Sequence, residues 1–441
     1  MNRTEDKQLS RIAEWQSLDG RKFESPAVAE LYRQRTQRFA DVVSLKQPDR
    51  VPSLMMAAGI VARYAGISFA ETFYDSEKSA AAAMKFVEDF RPEYLLMSAG
   101  AAAGRAYDLL GYQAYKWPGS SLPADMQFQY VEGEYMPAED YDALISSPEG
   151  YMLRNYLPRV CSQLPGLSLI PNLFTPVEMM GLGIWLTGLS APPVQESLSR
   201  LSQAIDQISK SMAVAMQANA EIIGRYGCPS LMGGITKAPF DIVADTLRGT
   251  RAALTDLYRR PEKILAASDA LVASAIHMGV GSGRPGAPPF VFMPLHKGAA
   301  GFMSQKQFEK FYWPTFKRLL EGVIAAGMVP LPFVEGTFDE PRLELIAKSG
   351  LPAGRTAWLF DRSDLRLVKK HFAGFACVGG NVPVSLFRAG TPAQMEDHCK
   401  RLLDDLAPGG GFFLSSGAPV DEADPAVVRA FMACVEKYGV Y

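Results

Sequence analysis

The sequence predicts a closed (β/α)8 barrel of the TIM type with an N-terminal helical extension and an inserted β-hairpin segment. Three observations lead there. Six short apolar runs, 94–98, 291–296, 329–335, 356–361, 375–381 and 411–416, are nearly continuous in hydrophobicity, as strands buried on both faces must be. Helix-like stretches separate the later ones, at 308–326, 342–349, 365–372, 393–406 and 425–438, and strands that alternate with helices are parallel. The third is an absence. An open doubly wound sheet, the second choice, usually places a glycine-rich phosphate loop after its first strand, but here Met56-Ala57-Ala58-Gly59-Ile60 carries a single glycine.

The remaining elements follow in chain order. Residues 1–48 read as a charged helical extension, with apolar residues at helical spacing over 26–43. The barrel domain then spans 49–441, with a first strand at 49–56 and a second at 94–98. An insertion at about 99–140 is rich in Gly, Ala, Ser and Pro, and 128–136 reads as a hairpin turning at Glu132-Gly133. The stretch 192–226 is a long helix whose positions Leu198, Leu201, Ile205, Ile208, Met212, Met216 and Ile222 share one face. One or two helices, broken at Pro261, fill 252–277, and a glycine- and proline-rich loop at 281–289 leads into the next strand.

Composition narrows the function. Of 441 residues, 48% are hydrophobic and 21% charged, ordinary values for a globular enzyme, and a net charge of −2 gives nucleic acid or an anionic membrane no basic surface to bind. The N-terminus is too polar for a signal peptide and no apolar stretch of membrane-spanning length is evident, so a cytoplasmic protein is expected. Five cysteines, odd in number and without a CxxC pair, argue against a disulfide framework.

Chemistry in parallel barrels sits at the carboxyl ends of the strands, where His296, Glu335, Asp361 and Asn381 fall. His296 and the adjacent Lys297 suit acid–base work or anion binding; a structural histidine beside a solvated lysine is the plain alternative. Glu335 follows seven mostly apolar residues, and a carboxylate so placed must be paired, protonated or metal-bound if buried. Asp361 either enters the pocket or, like Ser363, caps the next helix. An inward Cys377 near His296 and Glu335 would complete a mixed zinc site, although a lone strand cysteine is more often a core residue. Arg248 is a candidate carboxylate clamp, Ser415-Ser416-Gly417 a weak anion site, and Tyr112, Tyr115, Trp117, Phe128, Tyr130 and Tyr135 a lid or a dimer contact.

The C-terminal third resembles the uroporphyrinogen decarboxylase superfamily, which includes the tetrapyrrole decarboxylase and methyltransferases that serve corrinoid proteins. The resemblance rests on Met303 to Phe308, Tyr312-Trp313-Pro314, Leu343 to Gly350, Gly380-Asn381-Val382-Pro383, Ala389-Gly390-Thr391-Pro392 and Asp424 to Phe431. It implies a barrel with its cleft at the strand carboxyl ends. Departures shape the functional expectation. The decarboxylase's RQAGRY-like segment survives only as Arg63-Tyr64, and the aspartate after its second strand is missing from Ser98-Ala99-Gly100-Ala101. The His-x-Cys-Gly of the zinc-dependent thiol methyltransferases is replaced by Phe333-Val334-Glu335-Gly336, and their later cysteine by Ser415-Ser416-Gly417.

The resulting expectation is methyl transfer from a small methylated substrate to a corrinoid carried by a partner protein. Glu335 and His296 would form the acid–base or metal-assisted pair, and Asp361 and Asn381 would orient the substrate. Alternatives are decarboxylation of a porphyrinogen or smaller acid, clamped by Arg63, Arg248 and Lys297, and a non-catalytic corrinoid- or tetrapyrrole-binding protein. Zinc held by His296, Glu335 and Cys377, and a homodimer, complete the expectations.

Overall fold

The computed structural model describes residues 3–97, 100, 102–281 and 286–441, with side chains from Lys7 onward. Eight strands form the barrel: β1 (Ser53–Met55), β2 (Tyr94–Leu95), β5 (Met232–Ile235), β6 (Phe290–Leu295), β7 (Val329–Val334), β8 (Ala357–Phe360), β9 (Cys377–Val382) and β10 (Phe412–Ser416). Their order is β2-β1-β10-β9-β8-β7-β6-β5, with parallel neighbours throughout. Leu231 N and Met232 N donate to Leu95 O and Leu96 O at 2.9 Å each, closing the ring between β2 and β5. The runs are apolar because both strand faces are buried. Val291, Met293, Leu295, Trp358, Phe360 and Val378 join the layer between sheet and helices, while Phe290, Leu331, Phe333, Leu359, Cys377 and Phe413 fill the barrel.

The extension closes the amino end of the barrel. Helix α1 (Arg3–Gln16) and helix α2 (Pro26–Val43) lie across it, and Phe39 of α2 meets Tyr94, Phe290 and Phe413 at centroid distances of 5.1, 5.2 and 5.4 Å. Arg38, on the same helix, forks onto Asp49 at 2.7 and 2.6 Å and reaches Glu93 at 2.7 Å. Arg50 joins Glu93 at 2.7 Å. This end of the barrel is sealed by apolar rings and matched charges, so any ligand must enter from the other.

The insertion spans the open end. Its antiparallel strands are β3 (Tyr115–Lys116) and β4 (Gln129–Tyr130), so the expected hairpin within 128–136 is replaced by pairing to an earlier segment. Glu132, expected in the turn, instead accepts from Thr250 N at 2.6 Å. The insertion is fastened on both sides of the mouth. Met136 N donates to Leu247 O at 2.8 Å, beyond β5. Gln127 Nε2 donates to Asp421 Oδ1 at 2.7 Å, beyond β10.

Other expectations need adjustment. The helix Pro192–Tyr226 forms as read, but it packs through Val194, Ser197, Ala204, Ala215, Ala218 and Ile222, and leaves Leu198, Ile205, Met212 and Met216 exposed. Pro261–Val280 is apolar and long enough to cross a membrane, contrary to the sequence reading. It is two helices, Pro261–Ala270 and Val272–Val280, which bury Ile264, Ala267 and Ala275 in the core. Ser98, Ala99 and Ala101, where the aspartate is missing, and residues 282–285 of the expected loop lie outside the described residues.

Candidate active site

Side-chain alternation carries one polar row around the mouth. In β6 the inward positions run Phe290, Phe292, Pro294 and then His296; in β7 they run Val329, Leu331, Phe333 and then Glu335. Leu295 pairs with Val334, Val334 with Phe360, Leu359 with Gly379 and Asn381 with Ser415. Carried one step on, this register sets His296, Glu335, Asp361, Asn381 and Ser415 side by side on consecutive strands. The opposite part of the wall is apolar, with Met56, Leu96 and the half-exposed Ile235.

His296 is held between two carboxylates. Its Nδ1 meets Asp245 Oδ2 in a very short hydrogen bond, and its Nε2 meets Glu335 Oε1 at 3.2 Å. Both partners are acceptors, so both ring nitrogens donate and the ring is an imidazolium. Burial opposes that charge, but the hydrogen bonds and negative charge of Asp245 and Glu335 outweigh it and lift the imidazole to about 10. Glu335 keeps 44% of its side chain exposed and is the open face of the pair; Asp245, at 10%, is the enclosed one.

The loop after β5 supplies the enclosing groups. Asp241 and Asp245 stand four residues apart, so both carboxylates project from one side of the helical turns Pro239–Asp241 and Ile242–Leu247. The second turn is of the wide π type, a form that recurs at functional sites. Asp241 is fully buried and accepts from Lys297 N at 2.9 Å, His296 N at 3.2 Å and Tyr312 OH at 2.7 Å. It therefore fixes the backbone from which His296 and Lys297 project. Burial and the charge of Asp245 raise its pKa, while burial and the charge of Asp241 hold the Tyr312 hydroxyl in its protonated, donating form. Asp245 also meets Lys237 Nζ at 3.2 Å and Lys297 Nζ at 3.3 Å. Burial works against its charge, but His296 and the two lysines prevail and keep it in the ionised form. From the insertion, the Tyr130 hydroxyl donates to the Asp245 carbonyl, which ties the cover to this loop.

The structure thus brings His296, Lys297 and Glu335 together and adds Asp241, Asp245, Lys237 and Tyr312, which the sequence reading did not assign. A signal was available: two acidic residues one helical turn apart, directly after a strand. Asp361 neighbours Glu335, and burial together with that carboxylate raises its pKa. The cap of the next helix is Asp364, while Ser363 accepts from Phe338 N at 2.9 Å, so neither Asp361 nor Ser363 is the capping residue. Asn381 donates to Ser363 O at 2.9 Å and occupies the same row.

Three other candidates are placed elsewhere. Cys377 points inward, but four residues before Asn381 and so about 13 Å deeper in the barrel. There it packs with Ala357, Leu359 and Phe413, and burial pushes its thiol pKa up. Among the described residues no three His, Cys, Asp or Glu side chains are grouped to hold a metal ion. With both nitrogens of His296 already engaged by carboxylates, the proposed zinc set does not fit. Arg248 is not a free clamp. It is buried and bound to Asp256 at 2.9 Å, to Met136 O at 2.5 Å and to Glu134. Arg63 pairs with Glu422 at 3.0 Å and lies over Phe69. The suggested anion site also fails, since Gly417 N donates to Val382 O at 2.8 Å.

Comparison with known proteins agrees with this architecture. The family model described as Uroporphyrinogen decarboxylase (URO-D) matches residues 162–438, more than half of the chain. The protein belongs to that family. No curated protein matches the sequence significantly. Among solved structures, a methyltransferase from Methanosarcina mazei superposes with a TM-score of 0.59 at 15% identity, over 92% of this chain and 98% of that one. At that identity the likeness establishes a shared fold.

Proposed function

We propose that this protein is an enzyme that moves a methyl group from a small methylated substrate to a corrinoid carried by a partner protein. One observation carries the reading: an imidazolium clasped between an enclosed carboxylate and an open one, facing the mouth of the barrel. Removing a methyl group from oxygen, nitrogen or sulfur as a cation equivalent leaves an electron pair on the heteroatom, which needs a proton. The charged His296 ring, held by Asp245 from behind, is placed to supply it, and Glu335 is the half-exposed group through which substrate reaches the ring. Asp361 and Asn381, next in the row, are placed to orient the substrate.

The corrinoid, when docked, supplies the methyl-accepting centre. Phe292 and Phe333 stack at 5.8 Å in the barrel interior beneath His296 and Glu335, and Ile235 and Phe302 are apolar side chains 48% and 43% exposed. The insertion, fastened beyond β5 and β10, limits the entry of water to that space. The decarboxylase alternative is the weaker reading here, because Arg248 is buried in its own ion pairs and Arg63 is paired with Glu422.

The test is a single-turnover assay of the purified protein with reduced free cobalamin and a panel of small methylated ethers, amines and thiols. Protein-dependent formation of methylcobalamin, abolished by Glu335→Gln, is expected. Carbon dioxide release from a porphyrinogen without cobalt, with no methylation from any donor, would overturn the proposal.

A further inference from the structure

The insertion carries a recess of its own, and none of the groups around His296 belongs to it. Tyr107, Asp108, Tyr112, Tyr115 and Trp117 line a cleft of about 480 Å³, a size in the range of small-molecule sites. Local hydrogen bonds set its wall. The helix Gly104–Leu110 presents Tyr107 and Asp108 and ends at Gly111, whose φ of 60° is left-handed. The chain then turns back, and Tyr112 N donates to Tyr107 O at 3.1 Å while Gln113 N donates to Val160 O at 2.8 Å. Strand β3 follows with Tyr115, and Val131 N donates to the preceding Ala114 O at 2.9 Å. Trp117 is buried, and its Nε1 donates to Tyr74 OH at 3.1 Å, which in turn donates to Asp108 Oδ2 at 2.8 Å. That relay fixes the exposed carboxylate beside the rings.

The four rings form a curved series. Trp117 and Tyr107 meet at 5.5 Å and 69°, Tyr107 and Tyr112 at 5.6 Å and 46°, and Tyr112 and Tyr115 at 6.0 Å and 30°. A flat guest lies against one such face, whereas a rounded one meets several at once. The faces of aromatic rings are electronegative, and they attract a cation that comes within about 6 Å of the centroid. Lysine and arginine groups cover Tyr64, Tyr141 and Tyr151 in this way, but among the described residues none covers these four rings. Lys116 follows Tyr115 in β3, so its side chain points to the other face of the strand. The rings and Asp108 together favour a cation from outside the chain.

We propose that this cleft binds a methylated ammonium group, of the kind a quaternary amine carries. Such a cation is rounded, has an apolar outer surface and has no N–H to donate, so aromatic faces beside one carboxylate recognise it better than a ring of acceptors does. A primary ammonium would lose hydrogen bonds to water that the rings do not replace. The site is independent of the reaction proposed above.

Isothermal titration calorimetry of the full chain tests it, with choline and with its uncharged tert-butyl isostere, dimethylbutanol. Choline is expected to bind with a Kd below about 1 mM, and the isostere at least about 10-fold more weakly. Tyr112→Leu should weaken choline binding by at least about 10-fold, while Glu335→Gln, at the barrel mouth, should leave it unchanged. The proposal is overturned if choline fails to bind at about 10 mM or if the isostere binds equally well. Choline binding that Tyr112→Leu preserves, or that Glu335→Gln abolishes, overturns it equally. The isostere comparison uses wild type alone, so it decides the matter even where Tyr112→Leu fails to fold.

Discussion

Two clusters of buried charge sit at opposite ends of this barrel, and they are built differently. At the closed end Arg38 and Arg50 face Glu93 and Asp49, two cations against two carboxylates, and Ser53 N donates to Glu93 at 2.8 Å. At the open end Lys237 and Lys297 both meet Asp245, and His296 bridges Asp245 and Glu335 as a charged ring only when it carries its second proton. The first cluster has a fixed charge because guanidinium groups do not titrate in proteins. The second depends on a proton that can move. A neutral cluster made of permanent charges holds structure together; one completed by an imidazolium can do chemistry.

The comparison can be broken at either end. His296→Gln removes the mobile proton and should lower turnover by about 100- to 10,000-fold, with a lowered urea midpoint at neutral pH as well, because Asp245 and Glu335 lose their imidazolium. Arg38→Met should affect stability alone, since it leaves the buried Glu93 with one cation fewer. We expect a loss of about 3–5 kcal/mol in equilibrium unfolding, with turnover per folded molecule preserved.

The pH dependence sharpens the contrast. His296 is lifted from 6.5 to about 10, so the folded state binds the proton more tightly than the unfolded chain. Its stabilisation is therefore complete below pH 6.5 and is lost as pH rises towards 10. A titration of unfolding free energy should show this alkaline decline in wild type and not in His296→Gln, and turnover should fall over the same range. Tyr312→Phe removes one of three donors to Asp241 and should cost about 1–3 kcal/mol, with a downward displacement of the alkaline limb as the His296 backbone loosens. The smallest effect is expected for Cys377→Ala: a loss of about 1 kcal/mol from a small cavity, with activity unchanged. Activity lost in that variant would restore Cys377 to the reaction.

Much of this was legible in the sequence, for identifiable reasons. The strands were found because burial on both faces makes each run uniformly apolar. His296, Glu335, Asp361 and Asn381 were found because the period of two places the residue after each run at the rim. Asp241 and Asp245 were missed because their one-turn spacing marks a shared helical face without telling whether that face meets the core or solvent. The outward face of Pro192–Tyr226 was misjudged for a related reason. Periodicity reports that a helix has an apolar face, and the small side chains Ser197, Ala204, Ala215 and Ala218 that actually meet the core leave a weaker signature than Leu198 and Ile205.

By itself the sequence determined the local quantities: which segments pair as parallel strands, which residue ends each of them, and which end of the barrel is open to ligand. These depend on side chains a few residues apart and are written in their spacing. Only the tertiary structure decided that Asp245 stands behind His296, that Arg248 is already bound and that Cys377 lies two rows too deep. Those facts depend on register between strands and on where a distant loop folds back. Both are set by packing the whole barrel at once, so no single segment records them.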